Sequence, residues 1–210
     1  MLIFLLSIAV IPATAYFLLQ NNKVQNYIAN VVTSKLTTFI GSKVRVGSIS
    51  FDIFNHLVIN NVYVEDIYKD TLLYSKSLTL SVDEINIQKR IIAIDKIELY
   101  KAHFRLYIDS TNQVNLKYVI DKFLSGADST KKKWDITFNN IGLVDSRFTL
   151  QNFHKNSCDT GIDFSNLRLY NLNVRVKKLA IKSKVASFNI NKLSFVEHSG
   201  FKVNNLSLST

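Results

Sequence analysis

Two groups of side chains have residue types and spacings that could support chemistry. Asp159-Thr160-Gly161 has the letters of the aspartic-protease triplet, in which two carboxylates share one proton and activate water. That chemistry needs an apolar strand ahead of the aspartate and a second carboxylate donor, and here Asn156-Ser157-Cys158 precedes it. The triplet is therefore read as a hairpin turn. His154 and Cys158 stand four apart, a spacing at which two ligands on one helical face can share a metal. No other histidine or cysteine lies near them in sequence, so they are read as a loop pair. His56, His103 and His198 are isolated, and no glycine-rich phosphate loop, zinc spacing or nucleophile elbow occurs. The sequence points to no catalysis, no metal and no cofactor.

Charge is the next candidate for function. With 26 Lys and Arg against 16 Asp and Glu, the formal net charge is +10, which attracts lipid headgroups and nucleic acid alike. The basic residues are scattered singly along strands, except for a cluster of Arg168, Arg175, Lys177, Lys178, Lys182 and Lys184. No aromatic stacking motif interleaves them, so a solvated strand face is expected and nucleic acid is not. The one cysteine, Cys158, excludes an internal disulfide and says nothing about compartment.

The elements that would position any site are dominated by one repeated pattern. Ile92, Ile94, Ile97, Leu99, Ala102, Phe104 and Leu106 recur 44 positions later as Ile136, Phe138, Ile141, Leu143, Ser146, Phe148 and Leu150. Apolar residues fall two apart, then three, then two, which describes a half-buried strand, a one-residue interruption and another half-buried strand. Lys96, Glu98, His103 and Arg105 fill alternate positions, so one face of the sheet is apolar and the other meets water. Fainter copies run through Leu57 to Val64, Ile162 to Val176 and Phe188 to Phe195. Such repetition argues for a sheet that grows by stacking similar pieces along one axis.

Two stretches are expected to depart from strand. Residues 1–20 carry no charged side chain. At about 1.5 Å per residue Leu2 to Leu19 spans roughly 27 Å, just enough for the ~30 Å hydrocarbon core of a bilayer. A transmembrane anchor is expected there, against a cleaved signal peptide suggested by Ala13-Thr14-Ala15. Lys23 and Lys35 follow the segment and nothing basic precedes it, which by the positive-inside rule points the wrong way and suggests a start further upstream. Residues 21–41 then read as an amphipathic helix, with a stripe of Val24, Tyr27, Ile28, Val31, Leu36 and Phe39 and a stop at Gly41. A second short helix is expected over residues 115–124, and residues 125–133 form a polar connection. Pro12 is the sole proline, so nothing from residue 42 onward removes a ladder donor.

Five stretches, in this order and spacing, carry a resemblance. They are Lys43 to Phe51, Leu57 to Asp66, Asp70-Thr71-Leu72-Leu73-Tyr74 leading into a strand, Asn115 to Phe123, and Trp134 to Leu143. Together they resemble the amino-terminal region of TamB proteins, of the AsmA-like group, of the kind found in Bacteroidetes, from the first segment to about Leu150. The resemblance implies a single-pass inner-membrane protein of a Gram-negative bacterium with its bulk in the periplasm. It also implies an elongated, curled sheet with an apolar groove, moving phospholipid to the outer membrane and taking part in outer-membrane protein assembly. Two departures stand out. The basic residues expected ahead of the anchor are absent, and the long continuation of the family is missing, so the chain reads as cut mid-sheet at Thr210.

The expected fold is therefore mainly β: a transmembrane helix over 1–20, an amphipathic helix over 21–41, and an elongated, curled antiparallel sheet over 42–210 with one or two short helices. Pattern alone would suit a sandwich core. Two short helices, however, cannot cover a long single sheet, and acyl chains are an adequate cover at ~0.8 kcal/mol per methylene. The lining expected of such a groove is Ile92, Ile94, Ile97, Leu99, Phe104, Leu106, Ile136, Phe138, Ile141, Leu143, Phe148 and Leu150, with Arg105 and Arg147 at its rim for phosphates. Expected partners are phospholipid acyl chains, the inner membrane through Leu2 to Leu19, and a barrel-assembly protein of the outer membrane. The alternative function is a scaffold for outer-membrane protein assembly through β-strand pairing.

Overall fold

An apolar pattern of two, three, two demands strands that break step, and the computed structural model has such breaks, with a register shift beside Val82 between strands Thr71–Asn86 and Ile91–Ile108 and a left-handed residue at Lys101. It describes residues 14, 17, 19–51, 56–86, 88–89, 91–125, 135–158, 161–182 and 185–209. Helix α1 (Asn22–Ile40) is followed by β1 (Val44–Arg45), β2 (Ser48–Phe51), β3 (His56–Glu65), β4 (Thr71–Asn86) and β5 (Ile91–Ile108). Then come helix α2 (Lys117–Ser125), β6 (Asp135–Asn152), β7 (Arg168–Lys182), β8 (Val185–Glu197) and β9 (Lys202–Ser209). The strands form one open, curled sheet in the order β1-β3-β4-β5-β6-β7-β8-β9, with β2 also pairing β3.

Local chemistry sets the helix ends. The Asn21 side chain accepts the backbone N–H of Lys23 at 2.9 Å and caps α1. Gly41 sits in the left-handed region at φ 76° and donates its N–H to the Thr37 carbonyl, ending the helix where glycine was expected to end it. The second helix starts two residues later than the spacing suggested, at Lys117, because Asn115 has another role, described below.

Two expectations need correction. The sheet is not wholly antiparallel: β5 and β6 are parallel, while every other neighbouring pair is antiparallel. Parallel partners need a crossover, and residues 109–134, which include α2, return the chain to the level at which β5 began. The transmembrane anchor is the second. Among the described residues no helix is long and apolar enough to cross a membrane. The longest, α1, mixes Lys23, Asn26, Asn30, Ser34 and Lys35 with its apolar residues and turns Ala29 and Ile40 onto the sheet. A single-pass inner-membrane placement is accordingly not supported. Residues 1–13, 15, 16 and 18 of the expected anchor lie outside the described residues, as do Asp159, Thr160 and most of the 125–133 connection.

The accessible surface is 14611 Å² for 24.0 kDa, where a compact globule of that mass exposes about 10,000 Å². Packing is concentrated at the first end of the sheet. Ala29 of α1 meets Ile49, Ile59 and Val62, with Ile28, Val32, Phe51, Leu57, Leu78 and Leu80 around them. Ile40, Val44, Val64 and Leu72 form a second cluster, closed by Leu73, Leu106 and, from α2 and its approach, Leu116, Tyr118 and Val119. The helices thus cover one face over β1 to β4 and reach β5 at Leu106.

Candidate functional site

The apolar slots of successive strands fall in register and form rows across the sheet. One row runs Phe51, Leu57, Leu80, Ile97, Ile141, Val176, Ile190, Leu208. The next runs Ile49, Ile59, Leu78, Leu99, Leu143, Val174, Leu193, Leu206. A third joins Val64, Leu73, Phe104, Phe148 and Leu169. Rows form because β5 and β6 pair in parallel with an offset equal to the repeat, so Ile92 lies beside Ile136, Ile94 beside Phe138 and Leu106 beside Leu150. The helical cover stops at Leu78 and Leu80 in the first two rows. From β5 to β9 the rows continue for about 19 Å at ~4.8 Å per strand, with no second sheet against them among the described residues.

All twelve residues expected to line a groove lie on β5 and β6, and the register brings them together as six side-by-side pairs. Ile136 is placed by its backbone alone. The other eleven are half-buried, neither sealed nor fully exposed, and of these Leu106 alone packs against a helix-covered cluster. Phe104 and Phe148 are neighbours on one sheet rather than facing residues of two. Leu78 and Leu80 of β4, and Val174, Val176, Ile190 and Leu193 of β7 and β8, belong to the same rows. Their alternation was visible, but only register shows that they extend the surface.

Four of the strands are also interrupted by a left-handed residue. Asn61, Lys101, Asp145 and Asn171 have φ of 52°, 50°, 47° and 50°, one each in β3, β5, β6 and β7. Three are Asn or Asp, the side chains that tolerate this region best, and Lys101 has its ammonium 3.7 Å from Asp145. Beside them run Val62, Ser75, Ala102, Ser146 and Leu172, all buried. The small residue that precedes each Phe in the repeat is therefore a member of a sealed seam crossing the sheet.

The motif stretches from 57 to 66, 70 to 74 and 115 to 123 converge on a buried polar node. Asp66 Oδ1 accepts the N–H groups of Tyr68 (2.8 Å) and Asp70 (2.9 Å), and its Oδ2 accepts Asn115 Nδ2 (3.1 Å). Asn115 also donates to the Arg105 carbonyl and accepts from Tyr107 N–H, both at 3.1 Å. Ser42 donates to the carbonyls of Glu65 and Asp66, and Tyr118 donates to that of Glu65 at 2.6 Å. Burial, then a hydrogen bond to Asp66, pushes the Tyr107 hydroxyl well above its ordinary range. These residues tie three chain segments together. Sequence reasoning missed the node because Asp66 and Asn115 are 49 apart and show no periodic signal.

The chemistry candidates are occupied with local structure. His154 contacts the Asp109 carbonyl through Nε2, and Cys158 N–H donates to Asp163 Oδ2 at 2.9 Å. The Asn166 amide, then the Cys158 N–H, pull the Asp163 carboxyl down to about 2. The Thr111 hydroxyl and Gln113 N–H do the same for Asp109. Among the described residues no group of three or more His, Cys, Asp or Glu could hold a metal. Of the two rim arginines, Arg105 is paired with Asp70 at 2.8 Å, while Arg147 lies over the Tyr170 ring, 5.8 Å from its centroid. Burial, then the charges of Arg105 and Arg147, hold the His103 imidazole below its ordinary range. No protein-family model matches the chain, and no curated protein matches it in sequence.

Proposed function

We propose that this protein is a non-enzymatic lipid-transfer conduit of the TamB and AsmA-like kind, which moves phospholipid between membranes in outer-membrane biogenesis. Acyl chains lie along the apolar rows where, among the described residues, β5 to β9 have no protein layer over them. The observation that carries this reading is the pair of rows from Ile97 to Leu208 and from Leu99 to Leu206, apolar at every strand and beyond the reach of α1. A contiguous apolar surface of that extent needs a cover, and methylenes provide one without demanding an exact fit, at ~0.8 kcal/mol each. The five stretches that resemble TamB proteins support the same reading.

The test is lipid mass spectrometry on the full chain purified without detergent, beside the Ile97→Asp and Phe138→Asp variants. Wild type carries phospholipid and the variants lose it while keeping the fold. Lipid retained at wild-type levels in both well-folded variants overturns the conduit.

One observation favours a second reading, a scaffold that pairs with a strand of an outer-membrane barrel protein. Strand β9 stands at an edge of the sheet among the described residues, and its Leu206 and Leu208 are exposed. Ser207→Pro on β9 abolishes partner capture in that case and spares lipid contact.

A further inference from the structure

We infer that the cavity at the ends of β5 and β6 and the start of β7 binds a small zwitterion, a primary ammonium joined to a phosphate ester as in ethanolamine phosphate. The cavity measures about 610 Å³, within the ~300 to 1,000 Å³ usual for small-molecule sites, and touches the second helix-covered cluster at Leu106.

Three aromatic rings form one wall. Tyr68 and Tyr107 have centroids 5.8 Å apart and Tyr107 and Phe153 5.5 Å, tilted by 43° and 56°. Tyr68 is 55% exposed and Phe153 62% exposed, so these rings are not committed to a core. Exposed rings beside a carboxylate are the arrangement that attracts an ammonium, through the negative faces of the π systems. The carboxylate is Asp109. Its Oδ1 is held by Thr111 N–H, Thr111 Oγ and Gln113 N–H at 2.7 to 3.0 Å, whereas its Oδ2 accepts the Tyr68 hydroxyl alone, at 2.9 Å. That oxygen has capacity for a second donor, which a primary ammonium supplies and a quaternary one does not.

The remaining charges select the other end. Arg105 and Asp70 neutralise each other, leaving Asp109 and Arg168. Arg168 is exposed; its backbone N–H donates to the Glu197 carboxylate, and among the described residues its guanidinium forms no ion pair. It faces Thr149 of β6, which faces Arg105 of β5 on its other side. Arg105 is thus level with Arg168, two strand spacings or about 9.5 Å across the sheet, and Asp109 lies four residues further on, about 13 Å along the strand direction. One ion cannot contact both groups, and two arginines balanced by two aspartates favour neither a bare anion nor a bare cation. A short molecule with a positive and a negative end meets both requirements, its phosphate on the Arg168 guanidinium.

The group could belong to a soluble ester or to a lipid headgroup, and two arms separate these. In the first, the full chain is titrated with glycerophosphoethanolamine, ethanolamine and inorganic phosphate, followed by NMR of the tyrosine and phenylalanine rings. In the second, its binding is measured to phosphatidylglycerol vesicles with and without phosphatidylethanolamine. The ester binds at least about tenfold more tightly than either half. Arg168→Gln and the double variant Tyr68→Leu, Phe153→Leu each weaken it about tenfold, with unchanged melting. Both variants change exposed side chains, and Asp109 is left intact because its carboxylate holds its own turn. Preference for phosphatidylethanolamine vesicles, lost in Arg168→Gln, assigns the headgroup; binding of the soluble ester alone assigns the free ester. Halves that bind as well as the whole, or folded variants that bind it unchanged, overturn the site. The ester has no acyl chain, so its result is independent of the apolar rows.

Discussion

The backbone N–H of Ala102 donates to the side-chain oxygen of Ser146 at 3.1 Å, joining equivalent positions of two copies of the repeat 44 residues apart. The register between β5 and β6 is continuous from Ile97 to Tyr100 and again from His103, and this bond spans the gap. Ser146 Oγ in turn donates to the Val144 carbonyl at 3.0 Å. One hydroxyl replaces the ladder bonds that the left-handed residues remove. Ser75 of β4 does likewise, its oxygen within reach of the carbonyls of Ser77 and Tyr100. With Ser146 fully buried, Ser146→Ala leaves an N–H and a carbonyl unpaired and is expected to cost about 1 to 3 kcal/mol in denaturant unfolding. Ser146→Thr, which keeps the oxygen, overfills the seam by a methyl and is expected to cost a similar amount by a different route.

The break in each strand depends on a tolerated positive φ. Asp145→Val forces a β-branched side chain into φ 47° and is expected to cost about 1 to 2 kcal/mol, while Asp145→Gly is close to neutral. Equal losses for the two would show that the residue acts through its exposed ion pair with Lys101 instead. Urea titration of both variants decides it.

Asp66→Ala strands the N–H groups of Tyr68 and Asp70 and the Asn115 amide, and with Asp66 buried the expected loss is about 3 kcal/mol or more. Hydrogen exchange should quicken together in the 66–70 turn and the 109–116 segment. A change confined to one of them would contradict the node.

Acid acts on this protein in two steps. The native imidazole of His103 resists protonation, so the unfolded chain takes up that proton first as pH falls through the ordinary 6.5. Its contribution is present above that value and is lost below it, down to the depressed native pKa. Asp109 and Asp163 follow. Each is held near 2 against an ordinary 3.8, so their contributions are present above 3.8 and fade as pH falls from there toward 2. Melting temperature against pH should therefore decline in both windows. His103→Gln should flatten the upper one, and Asp109→Asn with Asp163→Asn the lower.

The strand content and the helix stop at Gly41 were legible because each is set by nearest neighbours, alternation in one case and an absent Cβ in the other. The interruption expected between Ile94 and Ile97 meets the register shift beside Val82, whereas the left-handed residues after Leu99 and Leu143 gave no such signal. The parallel pairing was hidden in plain view. A repeat whose apolar slots recur at one fixed offset is what an in-register parallel pair requires, yet alternation looks the same in both directions, and only the crossover through α2 breaks the tie. The cavity between Tyr68, Tyr107, Phe153 and Arg168 drew on four separate segments with no shared period. The apolar run ahead of α1 was judged on composition alone, and hydropathy does not distinguish a span from other fates of such a segment. The pairing of Arg105 with Asp70 across 35 residues was not foreseeable.

Uncovered apolar rows from β5 to β9 are the premise on which lipid carriage stands, and photocrosslinking tests them most directly. A crosslinking amino acid is placed in turn at Leu99 and Leu143 in the rows, and at Glu98 of β5 and Arg175 of β7, which flank Gly142 between the rows, with phospholipid supplied to the full chain. The account predicts lipid adducts at Leu99 and Leu143 and none at Glu98 or Arg175. Adducts at all four positions alike, or at none, would contradict it.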